Sequence, residues 1–336
     1  MAYWLAYFLI LIVGGGVLLL LLNYFYINKA SILVNISLIV LSLFLTIMGL
    51  EFYFKNFFAE PDIVNTLARQ NWREWYHEEP VNSLGYRDIE WTDELVANKV
   101  KVMVAGDSFV VGAGIAKVAD RFSNQLAKKL GPDYVVFNVG QNGLNTGQVI
   151  QAIVDYPYQP DILVFSYYLN DIESVSPPCR GAPGSALAVP SLVTSLAENS
   201  YALNFFYWRL VRLQQSTQPD LRGECLVNAY NDPKIWWLHQ QELLSIYEGA
   251  KSEQILLFVV VFPAMLYLEE SSAATEKVVN LYREKNVPVV DVADLVKDLS
   301  PRERVASPVE THASILVNHL VAETLYQEFV KMKLVE

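Results

Sequence analysis

The chain has little cysteine, little histidine and little positive charge. Its 336 residues include two cysteines and four histidines, and no spacing of His, Cys and carboxylates suggests a metal site. Asp and Glu number 36 against 25 Lys and Arg, so the net charge is -11. Phosphate backbones are bound by clustered basic residues, so this balance argues against a nucleic-acid partner. The 53% of apolar residues excludes a wholly disordered chain.

Charge is scarcest near the N-terminus. Two uncharged apolar runs, Trp4 to Leu22 and Ile32 to Leu50, each have the length of a membrane span and predict a transmembrane hairpin over residues 1–55. A cleaved signal peptide is the alternative, but the run lacks a basic start and a small-residue cleavage site. Residues 1 to 58 contain only three charged side chains, which are Lys29, Glu51 and Lys55.

The side of the membrane on which the remaining chain lies is not set by charge, because Lys29 in the turn opposes Lys55 beyond the second run. Cys179 and Cys225 fall in one irregular stretch, where a disulfide and two unrelated thiols are both consistent with the sequence. A disulfide would form in an oxidising compartment. The cysteines therefore favour a large domain that faces away from the cytoplasm.

Beyond the hairpin, residues 56–98 form a polar and aromatic connector, and residues 99–336 predict an α/β domain. Apolar runs separated by helical-length segments predict a parallel sheet. Regularity fails over about 173–254, which is longer than an ordinary connection and predicts an insertion that acts as a lid. The predicted strands are Val100 to Val104, Val135 to Val139, Ile162 to Tyr167, Ile255 to Val261 and Val287 to Val292.

Polar residues gather where the strands end, and ligands sit there in parallel sheets. Ser108 follows the first strand at a predicted turn into a helix, where free N–H groups favour developing negative charge. His312 follows a late strand and has Glu310 two residues before it, which makes Ser108, His312 and Glu310 a candidate triad. The backbone N–H groups of Ser108 and Gly143 and the side-chain amide of Asn170 are candidate oxyanion donors.

These residues lie in blocks that resemble a known family. Gly106-Asp107-Ser108-Phe109, Asn138 to Gly143, Asn170-Asp171 and the carboxylate before His312 are similar to the four blocks of the SGNH (GDSL-like) hydrolase superfamily. The run Asn82 to Asp88 resembles its bacterial membrane-anchored members. The likeness implies a flavodoxin-like three-layer fold, Ser108 as nucleophile, His312 as base, and Gly143 and Asn170 in the oxyanion hole. It also implies a place in the bacterial inner (cell) membrane, with a periplasmic or extracytoplasmic catalytic domain.

Two positions depart from the family pattern. Tyr168 stands where the third block usually begins with Gly. Val309 occupies the usual position of the triad Asp, so the carboxylate falls to Glu310. Asp107 and Asp171 are expected to brace turns by hydrogen bonds. The purely structural alternatives are an N-cap role for Ser108 and a helix-capping or core role for His312.

The sequence thus predicts a membrane-anchored serine esterase or O-acyltransferase that acts on esters of a glycan or lipid. No cofactor is expected, because the third glycine of a dinucleotide loop is replaced by Lys117. A transferase would need an integral-membrane partner that delivers acyl groups. The alternatives are a non-catalytic glycan-binding or assembly subunit of a membrane complex, and a lipase whose segment Tyr201 to Trp208 is a lid or merely core.

Overall fold

The computed structural model describes residues 15–17, 19–24, 26–27, 31–176, 191–215 and 221–335. Cys179 and most of the first apolar run lie outside these residues. The chain divides into two compact units: one contains residues 1–60, 66–71 and 187–214, and the other contains residues 61–65, 72–186 and 215–336. The predicted connector and the predicted insertion are therefore each shared between the units.

The first unit is built on the helix Ser31–Asn56. Its segment Ile32–Asn56 is long and apolar enough to cross a membrane, with a mean hydropathy of 2.4. The second apolar run is thus helical, and the helix continues past the predicted end at Leu50. Of the first run, the described residues between 15 and 24 are helical.

The helices Ser191–Asn199 and Tyr201–Gln215 complete the first unit, together with the start of Leu67–Trp75. The Phe205 ring stacks on Phe54 with centroids 4.3 Å apart. The segment that the sequence suggested as a lid or core therefore packs against the long apolar helix.

The second unit is an α/β body around a five-stranded sheet with the order β2-β1-β3-β4-β5. Every neighbouring pair is parallel, which confirms the predicted α/β class. The strand order is that of a flavodoxin-like doubly wound sheet. The strands are β1 (Val100–Gly106), β2 (Tyr134–Gly140), β3 (Ile162–Tyr167), β4 (Leu256–Val261) and β5 (Val289–Asp291).

The strand β5 is shorter than predicted. Only its three residues pair with β4, and Asp291 then caps a short helix by accepting a hydrogen bond from Ala293 N. Val292 consequently belongs to that helix. After it comes a two-stranded antiparallel hairpin of β6 (Val305–Ser307) and β7 (Glu310–Ala313).

Helices cover both faces of the large sheet, because alternate strand residues point to opposite sides. Met103 and Ala105 belong to one apolar core, and Val102 and Val104 to the other. The first core is covered by Thr146–Asp155, Leu221–Asn231, Pro233–Ser252 and Leu268–Arg283. The second is covered by Phe122–Leu130, Val292–Val296 and Ile315–Lys331. The short helices are Asp93–Val96, Ser108–Val111 and Pro301–Arg304, with 3-10 turns at Val118–Asp120 and Leu169–Ser174.

Candidate active site

Ser108 is the first residue of a one-turn helix that begins directly after β1. Asp107 caps this helix, because its Oδ1 accepts a hydrogen bond from Phe109 N at 3.0 Å. The sequence left open that Ser108 is only an N-cap. The helix is instead capped by its neighbour, Asp107. Ser108 is free to present its hydroxyl at the carboxyl end of the sheet.

Two glycines let the Ser108 helix approach the strand ends closely. A Cβ at Gly106 would lie 2.8 Å from Val110 Cγ2, and a Cβ at Gly140 would lie 2.7 Å from Val111 N. Neither contact is tolerable for a larger residue. The glycines of the first two sequence blocks therefore fix the position of the helix that carries Ser108.

His312 and Glu310 complete the arrangement from β7. The Ser108 Oγ lies 2.7 Å from His312 Nε2, and the Glu310 Oε1 lies 2.5 Å from His312 Nδ1. The Glu310 side chain is buried, whereas His312 keeps 17% of its side-chain surface exposed. A hydroxyl, an imidazole and a carboxylate in this order form the geometry needed to activate a serine.

The strand geometry explains why Glu310, and not the neighbouring Val309, reaches the imidazole. Residues two apart on a strand point to the same face, so Glu310 and His312 lie side by side on β7. Ser307 Oγ accepts hydrogen bonds from both Val309 N and Glu310 N and fixes the turn before them. Val309 is buried.

Asp107 also lies near the nucleophile, since its Oδ2 is 3.3 Å from Ser108 Oγ. The imidazole nitrogen is closer by more than half an ångström, so His312 is the better-placed acceptor for the hydroxyl proton. Burial raises the pKa of Asp107, against hydrogen bonds and the neighbouring His312, which lower it. Asp107 thus braces the turn and caps the helix.

The predicted oxyanion residues lie in the loops after β2 and β3. Gly143 occupies an exposed turn with a φ of 74°, a conformation that favours glycine. Among the described residues neither atom of the Asn170 amide has a hydrogen-bond partner, and only its Oδ1 is sealed from solvent. The Asn170 Nδ2 is therefore available as a donor.

Asp171 holds the segment that carries Asn170. Its Oδ2 accepts a hydrogen bond from Tyr168 N at 3.0 Å, while its Oδ1 is buried and has no partner among the described residues. Burial, and then the negative charge of Asp107, raise the pKa of Asp171 well above its usual value. The Tyr168 ring contacts Phe109 with centroids 4.7 Å apart.

Sequence reasoning missed a second histidine–carboxylate pair behind this segment. His239 is fully buried, with its Nδ1 3.1 Å from Glu242 Oε2 and its Nε2 2.9 Å from the Tyr167 hydroxyl. The Tyr167 hydroxyl contacts that of Tyr230, which donates to Leu169 O at 2.9 Å. The three-residue spacing of His239 and Glu242 on one helix was the available signal.

This network also reaches the far end of the Asn170 segment. Glu242 Oε2 accepts a hydrogen bond of 2.7 Å from Ser174 Oγ. The 3-10 turn Leu169–Ser174 is thus held at both ends, by the buried Tyr230 and by the half-buried Glu242. The later part of the insertion, from Leu221 to Ser252, therefore positions a site loop from within the core.

The run Asn82 to Asp88 is hydrogen-bonded to the end of the Ser108 helix, to the loop after it and to β2. Arg87 donates hydrogen bonds to the carbonyl oxygens of Val111, Gly112, Ile115 and Ala116, at 3.0 to 3.2 Å. These carbonyls belong to the loop that follows the Ser108 helix. Asp88 Oδ2 accepts a hydrogen bond from Asn138 N on β2 at 2.9 Å. The motif is thus a scaffold for the site, a role that depends on contacts invisible in sequence.

Two further observations concern metal binding and the cysteines. Among the described residues, no cluster of three or more His, Cys, Asp or Glu could hold a metal ion. Cys225 is disulfide-bonded.

Solved structures similar to this chain are lipolytic and acetylesterase proteins. A lipolytic protein of the G-D-S-L family from Desulfitobacterium hafniense is 14% identical, with 68% of this chain and 99% of that chain covered and a TM-score of 0.43. A lipase/acylhydrolase from Enterococcus faecalis is 12% identical, with 69% and 96% covered and a TM-score of 0.42. A carbohydrate acetylesterase family member from Sinorhizobium meliloti is 18% identical, with 69% and 98% covered and a TM-score of 0.36. No family model and no curated protein matches the chain.

Proposed function

We propose that the chain is a serine ester hydrolase that works through an acyl-Ser108 intermediate. The observation that carries this proposal is the chain of contacts from Glu310 through His312 to Ser108, at 2.5 Å and 2.7 Å. A decayed site would have no reason to keep all three groups within hydrogen-bond distance. The non-catalytic alternative is therefore the weaker one.

The reaction follows from the positions of these atoms. Ser108 Oγ attacks the ester carbonyl carbon while its proton passes to His312 Nε2, and Glu310 holds the Nδ1–H side of the ring. The tetrahedral oxyanion collapses, the C–O bond to the alcohol breaks, and His312 returns the proton to the departing oxygen. A water molecule then repeats the sequence on the acyl-enzyme and releases the acid.

The oxyanion requires donors that are already oriented before the reaction. Asn170 Nδ2 is the side-chain candidate, and the backbone N–H groups of Ser108 and Gly143 are the main-chain candidates. The hydrogen bonds at both ends of the Leu169–Ser174 turn support this assignment. A donor that is already held in place needs little reorganisation when charge develops.

Hydrolysis of a short-chain nitrophenyl ester by the detergent-solubilised full chain tests the proposal. Wild type is compared with Ser108→Ala and His312→Ala, and each variant is checked for wild-type circular dichroism. We expect turnover by wild type and none above background in either variant. A folded wild-type protein without turnover, on acetyl and on longer acyl esters, would contradict a free-standing hydrolase.

The finer proposal concerns the membrane. The helix Ser31–Asn56 supports a permanent anchor, because its last turns pack into the folded first unit: Asn71 Nδ2 donates to the carbonyl oxygens of Phe54, Lys55 and Phe58. A leader destined for cleavage has no need of such contacts. We place the protein in the bacterial inner membrane with the catalytic domain outside the cytoplasm. Extraction of membranes with alkaline carbonate should leave the chain in the pellet, whereas release into the supernatant would contradict the anchor.

Acyl transfer to a glycan uses the same acyl-enzyme, with a sugar hydroxyl in place of water. An anchored acyltransferase of this kind would receive acyl groups from an integral-membrane partner. Intact-protein mass measurement of the acyl-Ser108 species distinguishes the two reactions. An intermediate that persists in water and disappears on addition of an exported polysaccharide indicates transfer, whereas rapid loss in water indicates hydrolysis.

A further inference from the structure

One helix of the first unit carries a row of exposed apolar side chains. The residues recur at intervals of three and four along Tyr201–Gln215, which places them on one face of the helix. All are exposed, and Leu210 is 65% exposed. We name this row the apolar stripe, and it consists of Leu203, Phe206, Leu210 and Leu213.

The other side of the same helix is packed within the unit. Ala202 and Val211 are buried, and Phe205 stacks on Phe54. Asn204 is also buried, and it bonds to Ala197 O and to Leu67 N. The helix is therefore held in place by one side, while four large apolar side chains face outward.

The helix Ser31–Asn56 determines the membrane depth at which the helix Tyr201–Gln215 is attached. Its 26 residues measure about 39 Å at a rise of about 1.5 Å per residue, against a hydrocarbon core of about 30 Å. About 20 residues counted from Ile32 fill that core, so the hydrocarbon ends near Glu51.

Glu51 is the residue that binds the two helices together. It is buried, and its carboxylate accepts hydrogen bonds from Ser200 Oγ at 2.7 Å, Tyr201 N at 3.0 Å and Ala202 N at 2.9 Å. The first turn of Tyr201–Gln215 is thus fixed at the boundary between hydrocarbon and headgroups.

Other residues on and around this helix suit that boundary. The segment Tyr201–Gln215 contains Arg209 and Arg212 and no acidic residue. Arg209 lies over the Phe205 ring, 5.0 Å from its centroid, and Lys55 lies over the Tyr201 ring at 5.8 Å. Basic and aromatic side chains around an apolar face are typical of helices that lie in the plane of a membrane.

We propose that Tyr201–Gln215 is an in-plane membrane helix whose apolar stripe is immersed in the bilayer crossed by Ser31–Asn56. The proposal rests on the membrane anchor proposed above. The occupant of the stripe is lipid, because the attachment through Glu51 brings the helix to the bilayer surface.

The test uses the full chain reconstituted into vesicles of phosphatidylethanolamine with phosphatidylglycerol as the minor component. Leu203, Phe206 and Leu210 are replaced one at a time by Cys and labelled with a small environment-sensitive fluorophore. Val154→Cys is the matched control, since Val154 is an exposed apolar residue of the α/β body, 72% exposed. Wild type treated with the same fluorophore gives the background from the native cysteines.

We expect nitroxide lipids to quench the stripe labels several-fold more than the Val154 label, and aqueous iodide to show the opposite order. Stripe labels that iodide quenches as strongly as the Val154 label would overturn the proposal. So would labels shielded from both quenchers, since a protein surface would then cover the stripe. Flotation of the chain with the vesicles is measured separately, so a failed anchor is distinguished from a stripe that stays in water.

Discussion

The second unit contains two histidine–glutamate pairs that differ in what the second imidazole nitrogen faces. His312 and Glu310 lie on a strand, and His312 Nε2 faces a serine hydroxyl at the start of a helix. His239 and Glu242 lie on a helix, and His239 Nε2 faces a tyrosine hydroxyl in the core. A histidine–glutamate pair is not sufficient for catalysis, which also needs a nucleophile that a substrate can reach.

Exposure separates the pairs as clearly as the partners do. The His312 side chain is 17% exposed, whereas that of His239 is 0% exposed. Burial lowers the pKa of His239, although the hydrogen bond with Glu242 opposes this effect. One pair is therefore available for proton transfer with a substrate, and the other serves to hold Tyr167, Tyr230 and the Leu169–Ser174 turn.

The largest expected effect comes from removing each imidazole. His312→Ala should lower kcat/KM on a nitrophenyl ester by about 10⁴-fold or more, because the general base is lost. His239→Ala should lower it by no more than about 10²-fold, mostly through kcat, because only the oxyanion segment is loosened. Equal losses in two folded variants, measured by steady-state kinetics, would remove the distinction between the pairs.

The carboxylates should differ in the same direction. Glu310→Gln keeps the shape but removes the charge beside Nδ1, and we expect kcat to fall by about 10² to 10⁴-fold. Glu242→Gln should have a much smaller effect, since its charge does not contact the reacting atoms. Glu310→Asp is the conservative control: its shorter side chain should restore part of the activity. Wild-type activity in Glu310→Gln would exclude Glu310 from the mechanism.

Stability should show the reverse order. His239→Phe removes the hydrogen bonds that the imidazole makes with Glu242 and with the buried Tyr167 hydroxyl, and the expected loss is about 1 to 3 kcal/mol in the free energy of unfolding. His312→Phe lies in a part-exposed site and should cost less. Denaturant unfolding in detergent measures both changes, and a larger loss at His312 would contradict the assignment of His239 to a structural network.

A smaller effect concerns pH. Burial, and then Arg87, lower the pKa of His77 from 6.5 to about 4. The unfolded chain therefore takes up a proton before the folded chain does, so stability is present above pH 6.5 and falls as the pH drops towards about 4. His77→Gln should weaken this dependence, as followed by thermal unfolding across that range. An unchanged slope would show that other groups control it.

The sequence was sufficient for the parts of the fold that local patterns determine. The first three strands were predicted to within two residues at each end, because each is a short run rich in apolar and β-branched residues with Gly or Pro near one end. Within the stretch 173–254 that the sequence marks as irregular, the helix Pro233–Ser252 begins where Asp232 caps it and Pro233 suits its first position. Ser108 could be identified because it follows a strand end, and Glu310 could be paired with His312 because it lies two residues before it. Their place within the hairpin strand β7 was not predicted.

Contacts between distant segments could not be predicted in this way. Arg87 binds carbonyl groups more than twenty residues away. The Tyr230–Leu169 bond joins a helix to a 3-10 turn 61 residues earlier in the chain. The sequence predicts a lid or core for the segment Tyr201 to Trp208, because its aromatic residues suit either, and the structure makes it part of the helix Tyr201–Gln215. Its attachment through Glu51 depends on a buried carboxylate in a helix that otherwise suits lipid.

The most direct test of the central claim is to react the full chain with a fluorophosphonate and locate the adduct by peptide mass spectrometry. We expect a single adduct on Ser108, which forms far more slowly in Glu310→Gln and is absent in His312→Ala. An adduct on another residue of the wild-type chain, or labelling of Ser108 that is unchanged without His312, would contradict it.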